Sequence, residues 1–401
     1  MKKHLLLFMF LMIGLSLYSQ TIPMERVGFL DFFISRNSKL GFGNFSEAIQ
    51  DYSEVYFGRS IAKADLNDYQ KAIEDYSKAI ELNPKDSEAY YNRGVVKFGL
   101  NDYQGAIQDF SKAIELNPKD SAYFIRGITK GQLNDYSGAI QDFSKAIELN
   151  PDYIMAYYYK GNAKFHLNNY TGAIQDYSKA IELNPDFSDA YLNRGIVKFD
   201  LNDYSGAIQD YSKAIELNPD FSMAYYNRGV AKGQLNDSRG AIQDYNKAIE
   251  LDPNYSEAYN NRGVAKVQLN DYQGAIQDYD KEIELNPKYS DAYYNRGVAK
   301  VQLNDSRGAI NDFSKAIELK PENSDAYFNR GVVKFDLKDY SGAIQDFSKT
   351  IELNPDYSDA YYNRGVAKIQ LNDKSGACLD WYKAEELGHP NAYDLINTYC
   401  K

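Results

Sequence analysis

The sequence predicts an all-α solenoid of about ten 34-residue helix-turn-helix repeats, stacked in line and closed by a C-terminal helix. Three observations predict it. The eleven residues NRGVAKVQLND occupy 261–271 and recur, letter for letter, at 295–305. Pro84, Pro118, Pro151, Pro185, Pro219, Pro253, Pro287, Pro321 and Pro355 are 34 apart except for one step of 33, a single-residue deletion around Ser121. Between these prolines apolar residues return at helical spacing: Tyr272, Ala275, Ile276, Tyr279, Ile283 and Leu285 fall on one helix face.

From the N-terminus, residues 1–19 carry a basic start, an apolar run from Leu5 to Leu17 and then small or polar residues. That is the layout of a secretory signal peptide, and the run is shorter than the roughly 20 residues a membrane-spanning helix needs. Cleavage near Ser19 or Gln20 would leave the mature chain periplasmic or secreted. Residues 20–52 follow as a degenerate helical cap, starting from about Gly28. Its stretch NFSEAIQDY (44–52) copies the second helix of a repeat, but the loop that should come next is missing. The copied helix is therefore expected to run on into the helix around Tyr56 to Leu66.

Phasing on the prolines places ten units over residues 53–391, each reading roughly SDAYYNRGVAKxxLNDYxGAIQDYSKAIELNP. Within a unit, Asn270 can close the first helix and Asp271 can cap the second by accepting from its free N–H groups. At the far end Asn286 is expected to adopt the left-handed conformation that ends a helix, ahead of Pro287, which cannot continue one. One hairpin is too small to bury both of its faces, so it has to stack on its neighbours. Residues 392–401 are expected to form the helix that shields the last apolar face. Cys378 and Cys400, the only cysteines, either form a bridge or stay as thiols, and the sequence leaves both open.

On this frame the chain resembles the tetratricopeptide repeat family over about 340 of its 401 residues. The family pattern has an aromatic at position 4, Gly at 8, Ala at 20, an aromatic at 24, Ala at 27 and Pro at 32. The seventh unit supplies Tyr259, Gly263, Ala275, Tyr279 and Pro287, with Glu282 in place of the position-27 Ala. Ser60 replaces Gly in the first unit. The last unit has Trp381 at position 24 and Gly388-His389-Pro390 at its end, and residues 381–395 also resemble Sel1-like repeats.

The resemblance implies a right-handed superhelix whose first helices line a concave groove, with positions 2, 5, 6, 9, 12 and 13 facing it. Position 6 is Asn193, Asn227, Asn261, Asn295, Asn329 and Asn363 in six successive units, and position 5 is aromatic at Tyr226, Tyr294, Phe328 and Tyr362 among others. A side-chain amide offers both a donor and an acceptor, matching the backbone of an extended peptide. Some family members, those attached to O-linked sugar transferases for instance, hold peptides with such an asparagine ladder. The competing explanation is recent internal duplication, which would copy Asn without any task for it. The family's other well-known mode, a clamp on a C-terminal carboxylate, needs Lys at position 5 and Asn at 9, whereas this chain has mostly aromatics at 5 and, apart from Asn162, aliphatics at 9. Position 12 varies most, being Phe in some units (98, 165, 199, 335) and Gly in others (131, 233), which would shape pockets. Position 2 is often acidic, favouring a neutral to basic segment.

Arg stands at position 7 in nine units, with Lys160 in the tenth, and Asp stands at position 23 in all ten. Because the family places position 7 inside the hairpin, each Arg is expected to reach its own unit's Asp as a structural pair.

The formal net charge is −11 with basic residues spread evenly, so the footprint of a nucleic-acid binder is missing. The three histidines are far apart, and the sequence shows no Cys/His cluster, Gly-rich phosphate loop or nucleophile motif. The expectation is therefore a non-enzymatic scaffold or adaptor, without metal or cofactor, that holds an extended protein segment in its groove. A carbohydrate-binding envelope protein and a self-assembling architectural protein are the alternatives.

Overall fold

A computed structural model of the chain describes residues 45–65 and 68–401. The expected signal peptide and most of the expected N-terminal cap lie outside the described residues. Among the described residues there are twenty-one α-helices and no strand. The chain divides into two compact units, Met1–Pro118 and Lys119–Lys401.

In the first unit α1 (Phe45–Asp65) pairs with α2 (Tyr69–Leu82), and α3 (Ser87–Gly99) with α4 (Tyr103–Leu116). The continuous helix expected from the missing loop is present: α1 runs 21 residues, through the copied stretch and into the first repeat. In the second unit seven complete hairpins follow one another: α5 (Asp120–Gln132) with α6 (Tyr136–Leu149), α7 (Ile154–His166) with α8 (Tyr170–Leu183), and α9 (Ser188–Asp200) with α10 (Tyr204–Leu217). Next come α11 (Ser222–Gln234) with α12 (Ser238–Leu251), α13 (Ser256–Gln268) with α14 (Tyr272–Leu285), α15 (Ser290–Gln302) with α16 (Ser306–Leu319), and α17 (Ser324–Asp336) with α18 (Tyr340–Leu353). The final hairpin, α19 (Ser358–Gln370) and α20 (Lys374–Glu386), is followed by α21 (Ala392–Tyr399). Within each unit every hairpin packs its two helices together and its second helix on the first helix of the next hairpin. Contact is local along the chain, as in a solenoid.

Three local devices make the hairpin. The turn residue Asn270 lies at φ 61, and eight residues at equivalent places are also left-handed, all Asn except Lys338 at φ 65. Asn tolerates that region better than other residues with a Cβ. The capping residue Asp271 then accepts from the Gly274 N–H at 3.0 Å. Finally, the helices cross closely at the position-8 glycine: a Cβ on Gly229 would stand 2.7 Å from the Tyr245 ring. The first unit has Ser60 there, and its hydroxyl donates to the Phe57 carbonyl at 2.6 Å.

At the other end of the hairpin the expectation for Asn286 is corrected. It sits at φ −136 and ψ 77, not in the left-handed region. The following proline explains this, because its ring forces the preceding residue toward extended backbone. Equivalent side chains close the turn instead: Asn150, Asn184 and Asn218 accept from the N–H of Asp152, Asp186 and Asp220 at 3.1–3.2 Å.

The core repeats with the sequence. Ala275 is fully buried and Tyr279 almost so, against Ala299 of the next hairpin. At the C-terminal end Trp381 and Ile396 bury one another with Tyr362, Val366 and Leu395 around them. Cys378 and Cys400 are bridged, with their Cα atoms 5.6 Å apart, which ties the end of α21 to α20. The expected closing helix is thus present and covalently fastened.

Candidate functional site

Within the second unit successive first helices of the hairpins also touch one another, whereas successive second helices make no comparable contact. In a curved stack the tighter layer is the inner one. The candidate site is therefore the layer built from α7, α9, α11, α13, α15, α17 and α19, where the sequence placed its row of asparagines.

The row is half-buried rather than exposed, and its amides are largely engaged. Asn261 Nδ2 donates to the Tyr226 hydroxyl at 3.0 Å and Asn329 Nδ2 to the Tyr294 hydroxyl at 2.9 Å. Asn193 donates to the Tyr158 hydroxyl and to Asn162 Oδ1. Asn295 donates to Asn260 Oδ1 at 3.1 Å. In every case the acceptor sits at position 5 or 9 of the preceding unit, so the amide links two hairpins. Where position 5 offers no acceptor the pattern changes. Asn363 follows Phe328 and turns back to the Asp359 carbonyl at 2.8 Å. Asn227 follows Leu192, and its side chain has no hydrogen-bond partner among the described residues.

The position-5 rings are packing elements as well. Tyr226, Tyr294 and Phe328 pair with Tyr245, Phe313 and Phe347 of their own hairpins, ring centroids 5.7–6.0 Å apart. Tyr226 and Phe328 are further covered by Tyr255 and Tyr357 from the following loop. Tyr362 stacks on His389 at 4.0 Å. Burial pushes the Tyr226 hydroxyl up to about 12, with Glu257 adding to it. The Tyr226 phenol therefore stays neutral and acts as a hydrogen-bonding group at ordinary pH. Position 12 does vary the surface: Phe199 and Phe335 lean on Tyr204 and Tyr340, while a Cβ on Gly131 or Gly233 would meet nothing within 4 Å. His166 stacks flat on Tyr136 at 4.6 Å.

Behind this face runs the expected ion-pair ladder. Arg228 Nε and NH2 donate to the two oxygens of Asp244 at 2.9 and 2.7 Å, and eight other units repeat the fork. Lys160 makes a looser contact with Asp176 at 3.5 Å. The sequence reading missed three further partners. Lys232 at position 11 adds a second cation to Asp244 at 2.7 Å, Arg228 NH1 donates to Ser212 of the preceding unit at 3.0 Å, and the guanidinium lies over the Tyr225 ring. The signal was there, since Lys recurs at position 11 in every unit and Ser, Asn or Asp at position 25 in every unit but the last, which has Tyr382.

Sequence models of the tetratricopeptide repeat match residues 62–101, 132–167, 161–201, 197–236 and 265–304, and further ones match 87–120, 222–255, 244–277, 290–323 and 324–357. The matches together span 62–120 and 132–357, about seven tenths of the chain. The chain belongs to the tetratricopeptide repeat family. No curated protein matches the sequence. Among solved structures, the C-terminal part of a tetratricopeptide repeat-containing protein from Cytophaga hutchinsonii is 21% identical, with a TM-score of 0.53 over 60% of this chain and 98% of that one. This likeness supports the fold. A tetratricopeptide repeat protein from Parabacteroides merdae is 22% identical (TM-score 0.46, 62% and 99% covered), and YrrB, described as having an unusual peptide-binding site, is 27% identical (TM-score 0.43, 46% and 95% covered). No described helix is long and apolar enough to cross a membrane, and no group of His, Cys, Asp or Glu among the described residues could hold a metal ion. Membership of this family supports a protein-interaction scaffold.

Proposed function

We propose that the protein is an exported, non-enzymatic scaffold that binds an extended, neutral to basic protein segment along the layer of first helices. One observation carries the reading. That layer carries a row of half-buried amides in which Asn227 keeps an unused donor and acceptor, on the same helix as the open space at Gly233. Export draws on the N-terminal signal-like segment and on the Cys378–Cys400 bridge, which persists only in an oxidising compartment.

The test is selection of random twelve-residue peptides, displayed on phage, against the full chain. Selected peptides should lose affinity for Asn227→Ala while its melting temperature stays unchanged. A library that yields no binder would overturn the reading. Self-assembly has one observation in its favour: the last hairpin exposes Leu379 (73%) and Tyr382 (50%) where other units carry Gln, Asn or Glu and Ser, Asn or Asp. If that patch joins copies, Leu379→Gln with Tyr382→Ser will convert an oligomer to a monomer in light scattering. The carbohydrate reading draws no comparable support, because the position-5 rings are packed in tilted pairs rather than laid open.

A further inference from the structure

The hairpin α7–α8 departs from the pattern that the units after it keep. Tyr159 takes the place of the position-6 asparagine, and Asn162 the place of an aliphatic residue at position 9. The extra ring completes a run of aromatics: Tyr159 lies 5.7 Å from Phe124 and 5.2 Å from Tyr158, Tyr158 lies 4.9 Å from Phe187, and Phe124 lies 4.8 Å from Tyr153. Phe124 and Tyr158 are buried, while Tyr153, Tyr159 and Phe187 are half-buried and so form the accessible side.

Asp189, at position 2 of α9, is half-buried and close enough to act electrostatically on both Tyr158 and Tyr159. Other position-2 acids have partners. Asp291 accepts from the Tyr289 hydroxyl, Asp325 from the Tyr357 hydroxyl, and Asp359 faces His389 Nε2 at 3.2 Å. Around Asp189 the corresponding loop residues are Phe187 and Phe221, which carry rings without hydroxyls. Among the described residues no Lys, Arg or hydroxyl pairs with it, and only its own backbone N–H steadies the charge. Burial accordingly pushes this carboxyl above the usual aspartate range.

A carboxylate withdrawn from water without a cation lowers stability, and the fold shows no structural return for it. Ring faces beside a carboxylate attract a cation through both the quadrupole and the charge. We propose that Asp189 with Tyr159 and Phe187, backed by the buried Tyr158, is the receptor for one cationic side chain, Lys or Arg, carried by the bound segment. The inference rests on the proposed peptide-binding function and adds a fixed anchor to it. The site sets the register of the segment, because the repeat offers this combination at one place while the remaining units are nearly alike.

The test uses the peptides selected against the full chain. They should share one Lys or Arg. Replacing it by norleucine should weaken binding to the parent roughly tenfold and to Asp189→Asn less than twofold. Asp189→Asn should itself melt at or above the parent at pH 7, since a raised carboxyl opposes folding when ionised. Its stabilising contribution is complete below the ordinary aspartate range and disappears as pH rises through the raised value. Peptides that bind without a shared cation, or equal norleucine penalties on parent and variant, would overturn the anchor while leaving peptide binding intact. Absence of any binder would remove both.

Discussion

At the residue scale, a side chain in this protein is explained by what stands one hairpin away. Asn261 and Asn227 are the same residue at the same position, but Tyr226 accepts from the first and Leu192 cannot accept from the second. Asn261→Ala should therefore lower stability by about 1 kcal/mol and Asn227→Ala by almost nothing, as chemical denaturation would show. Equal effects would mean that the rungs contribute nothing between hairpins. The ladder behind them permits a second comparison. Arg228→Ala leaves Asp244 with Lys232 alone in a mostly buried place, and about 2–4 kcal/mol should be lost. Lys160→Arg, by contrast, should raise the melting temperature, because a planar fork can replace the 3.5 Å contact with two hydrogen bonds to Asp176. The sequence showed the Arg–Asp partnership because both positions are charged in every unit. It hid the Lys and Ser partners, which read as ordinary solvated helix residues until the hairpins are stacked. It hid the state of the asparagines for the same reason, as their acceptors lie 31 or 35 residues earlier.

At the element scale the hairpin was almost fully legible, because its determinants are local: a left-handed Asn, an Asp cap and a small residue where the helices cross. The exception, Asn286, is also local, and the proline beside it overrode the habit of asparagine at helix ends. The crossing is the most exacting of these features. Gly229→Ala places a methyl 2.7 Å from the Tyr245 ring, itself 4% exposed and packed against Tyr226, so the ring has little room to yield. We predict a loss of about 1–3 kcal/mol, partly recovered by Tyr245→Leu in the same chain. A fully tolerated Gly229→Ala would mean that the helices can separate there without cost. The closing hairpin differs in kind. The sequence left its two cysteines undecided because bridging depends on where α21 lands, and that follows from the fit of Ile396 against Trp381.

At the scale of the whole molecule, stability comes from neighbours. Each hairpin buries one face internally and the other on the next hairpin, so an isolated one leaves half its apolar surface in water. Within the second unit the same arrangement brings the first helices into one layer, which is why function was less legible than fold. Near-identical units advertise their packing, whereas the informative positions are the few that depart, such as Tyr159, Asn162 and Phe187, and their meaning depends on the rings that stacking brings to them. The most direct measurement compares residues 222–255, excised as one unit, with residues 188–289, three units, by circular dichroism and thermal melting. The three-unit piece should be helical and melt cooperatively while the single unit is unfolded. A single unit that is helical and melts as the three-unit piece does would contradict the account.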